Sequence, residues 1–363
     1  MRYDFGLEES RRAAGKLLAL RQQIKKQIQP RTVDDTFLLA TWNLRDFDSN
    51  KFGHGPLLKE SLFYIAEIIA AFDMVALQEV NEDLTALKTI MRILGDDWDY
   101  IATDMIAGRS GNRERMAFVY DTRKVRFRKI AGEIVLSKSH LIEDGHQFAR
   151  TPFLVAFQSG WFVFMICTVH IYYGDSSGEL LARRIEEIDR IAAFVSDRAD
   201  DEDANYIVLG DFNIISPEHK TMTALKRHGF VIPEDLADIP SNVKRNRFYD
   251  QIAFKGRDGQ LQFGGRAGVF DFFQTLFTRE DAAIYLALIE KPDKLELDDN
   301  GRPLLSDKNV LYYLDTWRTF QMSDHLPMWV ELKIDFSEEY LRDLIFVPKP
   351  PHPLRFSMPE LRD

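Results

Sequence analysis

The chain has 363 residues, 45% hydrophobic and 29% charged, with Lys+Arg 47 against Asp+Glu 57 and a formal net charge of -10. That composition excludes global disorder, a collagen-like repeat and a membrane bundle. The acidic balance counts against binding nucleic acid through bulk positive charge, but leaves open phosphate recognition through a local patch or a metal ion.

The opening stretch runs against that balance. Residues 1–31 hold Arg2, Arg11, Arg12, Lys16, Arg21, Lys25, Lys26 and Arg31 against Asp4, Glu8 and Glu9. Ser10–Ile28 lacks Pro and spaces Leu17, Leu18, Leu20, Ile24 and Ile28 as a helix does. Residues 1–35 therefore read as a basic N-terminal helical extension. Its charged face is either solvated or offered to nucleic acid, a partner or an anionic surface. The start, MRYDFGLEESRR, lacks the apolar core of a signal peptide, and the single Cys167 allows no internal disulfide. Both features point to a cytoplasmic protein.

From Thr36 onward strands and helices alternate. Phe37–Asn43 is a short apolar strand, and Leu57–Ala71 a helix with Leu58, Leu62, Ile65 and Ile69 on one face. Asp73–Val80 follows as a buried strand and Leu84–Leu94 as a helix. Arg115–Tyr120, Val125–Leu136, Pro152–Phe157 and Trp161–Ile171 are strands. Pro152–Val169 carries no charge over a length that could span a bilayer, but Gln158–Gly160 makes it two strands joined by a turn. Gly178–Arg198 is a helix; Tyr206–Gly210, Phe248–Phe254 and Leu326–Ile334 are strands. The pattern fits an α+β protein with two packed sheets and helices outside, in one domain over residues 36–334. Residues 255–321 read as an insertion, with a helix at Asp271–Ile289 and many aromatic residues. Residues 335–363, with Pro348, Pro350, Pro351 and Pro353, read as an extended tail.

Polar residues stand where several apolar strands stop. Asn43 ends LLATWN, Glu79 ends MVALQE, His170 ends VFMICTVH, Asp211 and Asn213 end YIVLGDFN, and Asp324 and His325 precede LPMWVEL. Buried polar groups need partners, and strand ends gathered at one rim would supply them. The oxygen donors suit Mg²⁺, Mn²⁺ or Ca²⁺. With two histidines and no cysteine among these residues, a zinc site is disfavoured. A metal-assisted attack of water on a phosphate matches the set.

The motifs WN (Trp42–Asn43), QE (Gln78–Glu79), ERMAFVYD (Glu114–Asp121), RTP (Arg150–Pro152), TVH (Thr168–His170), GDFN (Gly210–Asn213), YDQI (Tyr249–Ile252) and SDH (Ser323–His325) stand in this order. The series resembles the endonuclease/exonuclease/phosphatase superfamily, above all its DNase I-like branch. The resemblance implies a four-layer α/β/β/α sandwich and a Mg²⁺-dependent phosphodiesterase, with Mn²⁺ or Ca²⁺ as alternatives. A nuclease is the first expectation, with nucleic acid as substrate. The alternative is a phosphatase or sphingomyelinase-like enzyme on a smaller or lipid phosphoester.

Residue roles follow from the same resemblance. It makes Glu79 the main metal ligand, assisted by Asn43 and Asp324. It makes His325 the general base or acid, oriented by Asp250, and Asp211 the group that aligns water or holds a second metal. Asn213 would donate to a phosphoryl oxygen, His170 would pair with Glu114, and Arg150 and Tyr249 would contact the phosphate. Departures from the pattern bear on substrate. His170 argues against the abasic-site branch. Asn81 and Asn112 stand where duplex-cutting relatives carry an Arg and an aromatic residue, although Arg109, Arg113 and Arg115 lie nearby.

Overall fold

The two-residue period of the first strand already implies two cores. Phe37 and Leu39 enter one apolar cluster, while Leu38, Ala40 and Trp42 enter another. A strand buried on both faces needs a layer on each side, and the computed structural model supplies both. It describes residues 9–105, 113–138, 141–142, 145–256, 261–290 and 292–346. Arg2, Asp4, Glu8, Arg109, Asn112 and the four tail prolines lie outside the described residues.

The strands are β1 (Thr36–Phe47), β2 (Met74–Val80), β3 (Trp98–Ala102), β4 (Arg115–Asp121), β5 (Val125–Glu133) and β6 (Phe153–Ser159). They continue as β7 (Phe162–His170), β8 (Asn205–Asp211), β9 (Asp250–Lys255), β10 (Phe263–Val269) and β11 (Met328–Lys333). One sheet has the order β10-β11-β1-β2-β4-β3 and the other β5-β6-β7-β8-β9. Phe37, Ala76 and Phe118 of the first meet Val155, Phe157, Phe164 and Ile166 of the second in a shared core. The helices α1 (Glu9–Gln27), α2 (Lys59–Ile69) and α3 (Thr85–Leu94) share a core with the outer face of the first sheet. α4 (Gly178–Glu202) covers the second with Ile188, Ile191, Ala192 and Val195. The expected four-layer α/β/β/α sandwich is thus present.

Two connections are parallel crossovers, β1 to β2 through α2 and β7 to β8 through α4. Every other pairing is antiparallel among the described strands. Parallel neighbours need a long return path, which a helix supplies.

Four expectations change. The basic residues of α1 do not form a simple solvated face: Arg12 pairs with Glu60 at 2.9 Å, Lys16 with Asp281 at 2.5 Å and Arg21 with Glu67 at 2.7 Å. Asp271–Ile289 is not one helix but two 3-10 turns, Phe272–Gln274 and Arg279–Asp281, followed by Ala282–Leu286. Asp271 caps the first turn, and Thr278 with Asp281 forms a capping box that restarts the second, so local caps override the apolar period. The supposed insertion opens with β10, which pairs with β11 and belongs to the sheet; its glycines, Gly264, Gly265 and Gly268, conceal the strand signal. Finally, Ser337–Phe346 is helical rather than extended. Among the described residues no helix is long and apolar enough to cross a membrane.

Candidate active site

Strand direction gathers the polar strand ends. β1 and β2 are parallel, as are β7 and β8, so Asn43 and Glu79 leave one sheet at the end where His170 and Asp211 leave the other. The antiparallel β4, β9 and β11 start at this rim, which brings Glu114, Asp250 and His325 beside them. The sheets meet there directly: Asn43 Nδ2 donates to Glu79 Oε1 at 3.0 Å and to Asp211 Oδ2 at 3.0 Å.

Backbone geometry aims these groups. Glu79 has φ 56, at a register shift where β2 leaves its neighbours, and Asn213 has φ 52. Left-handed backbone at non-glycine residues costs energy and survives where surrounding contacts hold it. Gly210 has φ 130, and a Cβ there would lie 2.1 Å from the carbonyl oxygen of Val169. Only glycine lets β8 and β7 approach so closely.

His325 is buried, with Nδ1 2.8 Å from Asp250 Oδ2 and Nε2 3.8 Å from Asp211 Oδ2. Burial opposes its charge, but Asp250 and Asp211 outweigh burial and hold the imidazole well above its ordinary value. His170 differs. Its Nδ1 lies 3.4 Å from Glu114 and its Nε2 3.8 Å from Glu79 and 3.6 Å from Asp211. Burial, reinforced by Arg150, pushes it down to about 4. Burial raises Asp211. For Glu79 burial is outweighed by His170, the Asn43 amide, Arg150 and the Asp46 N–H, which lower it to about 2. The two histidines, shifted in opposite directions, and Glu79 therefore face a common space.

Among the described residues, Glu79, Glu114 and His170 bring ligand atoms within 4.8 Å of one another, and so do Asp211, Asp250 and His325. Carboxylate-rich sets of this kind fit a hard divalent cation. Asn43 turns its nitrogen to those carboxylates, because the N–H of Arg45 donates to its Oδ1 at 2.8 Å. Asp324 stands apart from both clusters, its side chain 43% exposed and 3.5 Å from Arg45. Arg150 is buried and paired with Glu114. Tyr249 stacks on His325 with ring centroids 5.4 Å apart. Asn213 donates its Nδ2 to the carbonyl of Ile171 at 2.8 Å and its backbone N–H to Asp211 Oδ1 at 2.9 Å.

Several working residues had no role assigned from the sequence. Ser323 Oγ donates to the Asn43 carbonyl at 2.6 Å and accepts from the His325 N–H at 2.9 Å. Trp42 Nε1 donates to the His325 carbonyl at 3.0 Å, and Ser241 Oγ accepts from the Asp250 N–H at 2.9 Å. Trp42 and Ser323 lie inside the WN and SDH motifs, a signal that could have found them; Ser241 has no comparable mark.

A buried His–Asp pair facing carboxylates at the rim of a two-sheet sandwich defines a metal-assisted phosphoesterase site. Residues 40–357 match the model of the Endonuclease/Exonuclease/phosphatase family, and the chain belongs to that family. It is a metal-dependent phosphoester hydrolase. Its fold is similar to a functionally unknown conserved protein from Enterococcus faecalis V583, at 17% identity and TM-score 0.52, covering 81% of this chain and 98% of that one. An endonuclease/exonuclease/phosphatase family protein from Bacteroides thetaiotaomicron aligns at 17% identity and TM-score 0.49, over 85% of this chain and 100% of that one. Humanized D. rerio TDP2 aligns at 11% identity and TM-score 0.49, over 82% and 98%. No curated protein sequence matches.

Proposed function

We propose that the chain is a Mg²⁺-dependent phosphodiesterase that cleaves nucleic acid by attack of water on phosphorus. The observation that carries the reading is the His325–Asp250 pair, 2.8 Å apart and aimed at Asp211 across the rim from Glu79. Asp250 fixes the tautomer of His325 and leaves Nε2 toward the reacting atoms. A divalent cation held by Glu79 would supply charge neutralisation at phosphoryl oxygens. His325 takes the proton of the attacking water and returns it to the leaving oxygen as the ester bond breaks, Asp211 orients that water, and Asn213 and His170 donate to the phosphoryl oxygens. Arg150 and Glu114 hold His170 from behind. Preorganised donors of this kind are the main source of rate enhancement at phosphate.

Support for a nucleic acid comes from aromatic surface near the rim. Tyr173, 52% exposed, meets Tyr249 edge-on at 6.4 Å. Arg45 lies over Phe320 at 3.9 Å, and Phe320 meets the exposed Phe52 at 5.8 Å. Bases stack on such rings, and Arg45 adds positive charge beside Asp324. The single buried Cys167 suits a cytoplasmic setting. The test compares hydrolysis of single-stranded DNA, RNA, plasmid, bis-p-nitrophenyl phosphate and phosphomonoesters with Mg²⁺, Mn²⁺ and Ca²⁺. Faster turnover of a nucleic acid than of the small esters is expected. Preference for a sugar, inositol or lipid phosphoester over every nucleic acid would overturn the substrate assignment.

A further inference from the structure

We propose that Arg184 and Glu187, three residues apart on the buried face of α4, are positioning residues that clamp the rim loops carrying Arg150, His170 and Asn213. The proposal rests on the phosphodiesterase reading of that rim. Arg184 Nη1 donates to the carbonyl of Asn213 at 3.0 Å. Its Nη2 donates to the carbonyls of Tyr173 and Asp175, the latter at 2.8 Å. Glu187 does the reverse: Oε1 accepts from the N–H of Ala149 at 3.1 Å and Oε2 from the N–H of Tyr172 at 3.1 Å. The cation reads carbonyls and the carboxylate reads N–H groups, so together they tie segments that follow β7 and β8 to the one that precedes β6.

Each tied atom is next to a working group. Ala149 precedes Arg150, Tyr172 follows His170 by two residues, and Asn213 itself holds a left-handed φ of 52 that needs support. Arg184 also lies 4.8 Å from the ring of Tyr173, which meets Tyr249, which stacks on His325. The clamp therefore reaches both histidines. Packing alone does not call for these charges. Ile188, Ile191, Ala192 and Val195 already anchor α4, and Arg184 and Glu187 are 1% and 0% exposed. Burying two charges is costly, and apolar residues of similar volume would seal the helix as well or better.

The test uses the full chain with Arg184→Lys, Arg184→Met and Glu187→Gln. Turnover of bis-p-nitrophenyl phosphate with Mg²⁺ is measured per folded molecule, and hydrogen exchange is followed at the amides of Ala149 and Tyr172. Arg184→Met should lower kcat by about ten- to hundredfold, as small displacements of reacting groups do, with KM within about threefold. Arg184→Lys should recover part of that loss. Adding Asn213→Ala to Arg184→Met should cost less than Asn213→Ala alone, because both remove the same arrangement. Glu187→Gln should speed exchange at Ala149 and Tyr172. If Arg184→Met fails to fold, Arg184→Lys and Glu187→Gln carry the test. Wild-type kcat per folded molecule in both of these, or unchanged exchange in Glu187→Gln, would overturn the clamp. A wild-type chain that hydrolyses no phosphoester would sink the functional reading, while the exchange measurement would still decide the clamp.

Discussion

β2 and β4 each carry a buried or partly buried acid at both ends, and the two ends behave differently. At one end stand Asp73 and Asp121; at the other, Glu79 and Glu114. Asp73 pairs with Arg31 at 2.6 Å and Lys124 at 3.4 Å and accepts the Leu38 N–H at 2.8 Å. Asp121 pairs with the same Arg31 and with Arg123 at 2.6 Å. That end neutralises itself with strong, always-charged partners. At the rim Glu79, Asp211 and Asp250 face histidines and the amide of Asn43, and the buried Arg150 pairs with Glu114. Of these two ends, the rim is the one whose acids meet titratable and neutral partners in place of paired lysines and arginines. Buried acids in the same sheet thus become either a brace or a cation site according to what faces them.

The largest effect that could break this contrast is chemical. His325→Ala should reduce kcat by about 10²–10⁴-fold, the usual worth of a general acid–base, while the protein stays folded. Near-wild-type turnover would remove His325 from the mechanism. Asp73→Ala should do the opposite. Removing the carboxylate that faces Arg31 and Lys124 and accepts the Leu38 N–H should cost about 3–5 kcal/mol in denaturant unfolding, with kcat per folded molecule unchanged. A catalytic defect there would erase the distinction between the two ends.

The pH dependence of the metal-free protein sharpens it further. His170 is held down to about 4, below its ordinary 6.5. Between those values the unfolded chain binds the extra proton, so stability rises with pH across this window and is lost as pH falls through it. The size is of the order of a few kcal/mol. Glu79, lowered to about 2, loses its contribution only further down, below 4.5. Thermal melts from pH 7 toward 4 should show the first decline, and His170→Asn should flatten it. The smallest effect concerns α1. Arg12→Ala should cost about 1 kcal/mol or less by the same unfolding assay, since its partner Glu60 is buried but Arg12 itself is partly exposed.

The site was legible where function and strand pattern coincide. Asn43, Glu79, His170, Asp211 and His325 each interrupt or flank an apolar run, which makes them visible without any fold. The edge strands β3 and β10 were not: one is half-buried and the other glycine-rich, so neither shows the apolar run of a central strand. Asp324 neighbours His325 in the chain, and its part-exposed side chain lies 3.5 Å from Arg45. Arg184 and Glu187 were hidden for another reason. In the sequence they are two charges among many on a helix, and only the burial of that face reveals what they hold.

By itself the sequence determined the two-sheet architecture, the acid–histidine chemistry and the order of its motifs, because local period and residue type carry that information. The tertiary structure alone decided which acids are balanced and which way Asn43 points. It also decided that α1 turns basic residues inward to Glu60, Glu67 and Asp281. Those outcomes depend on distances between segments far apart in the chain, and charge is balanced only in space.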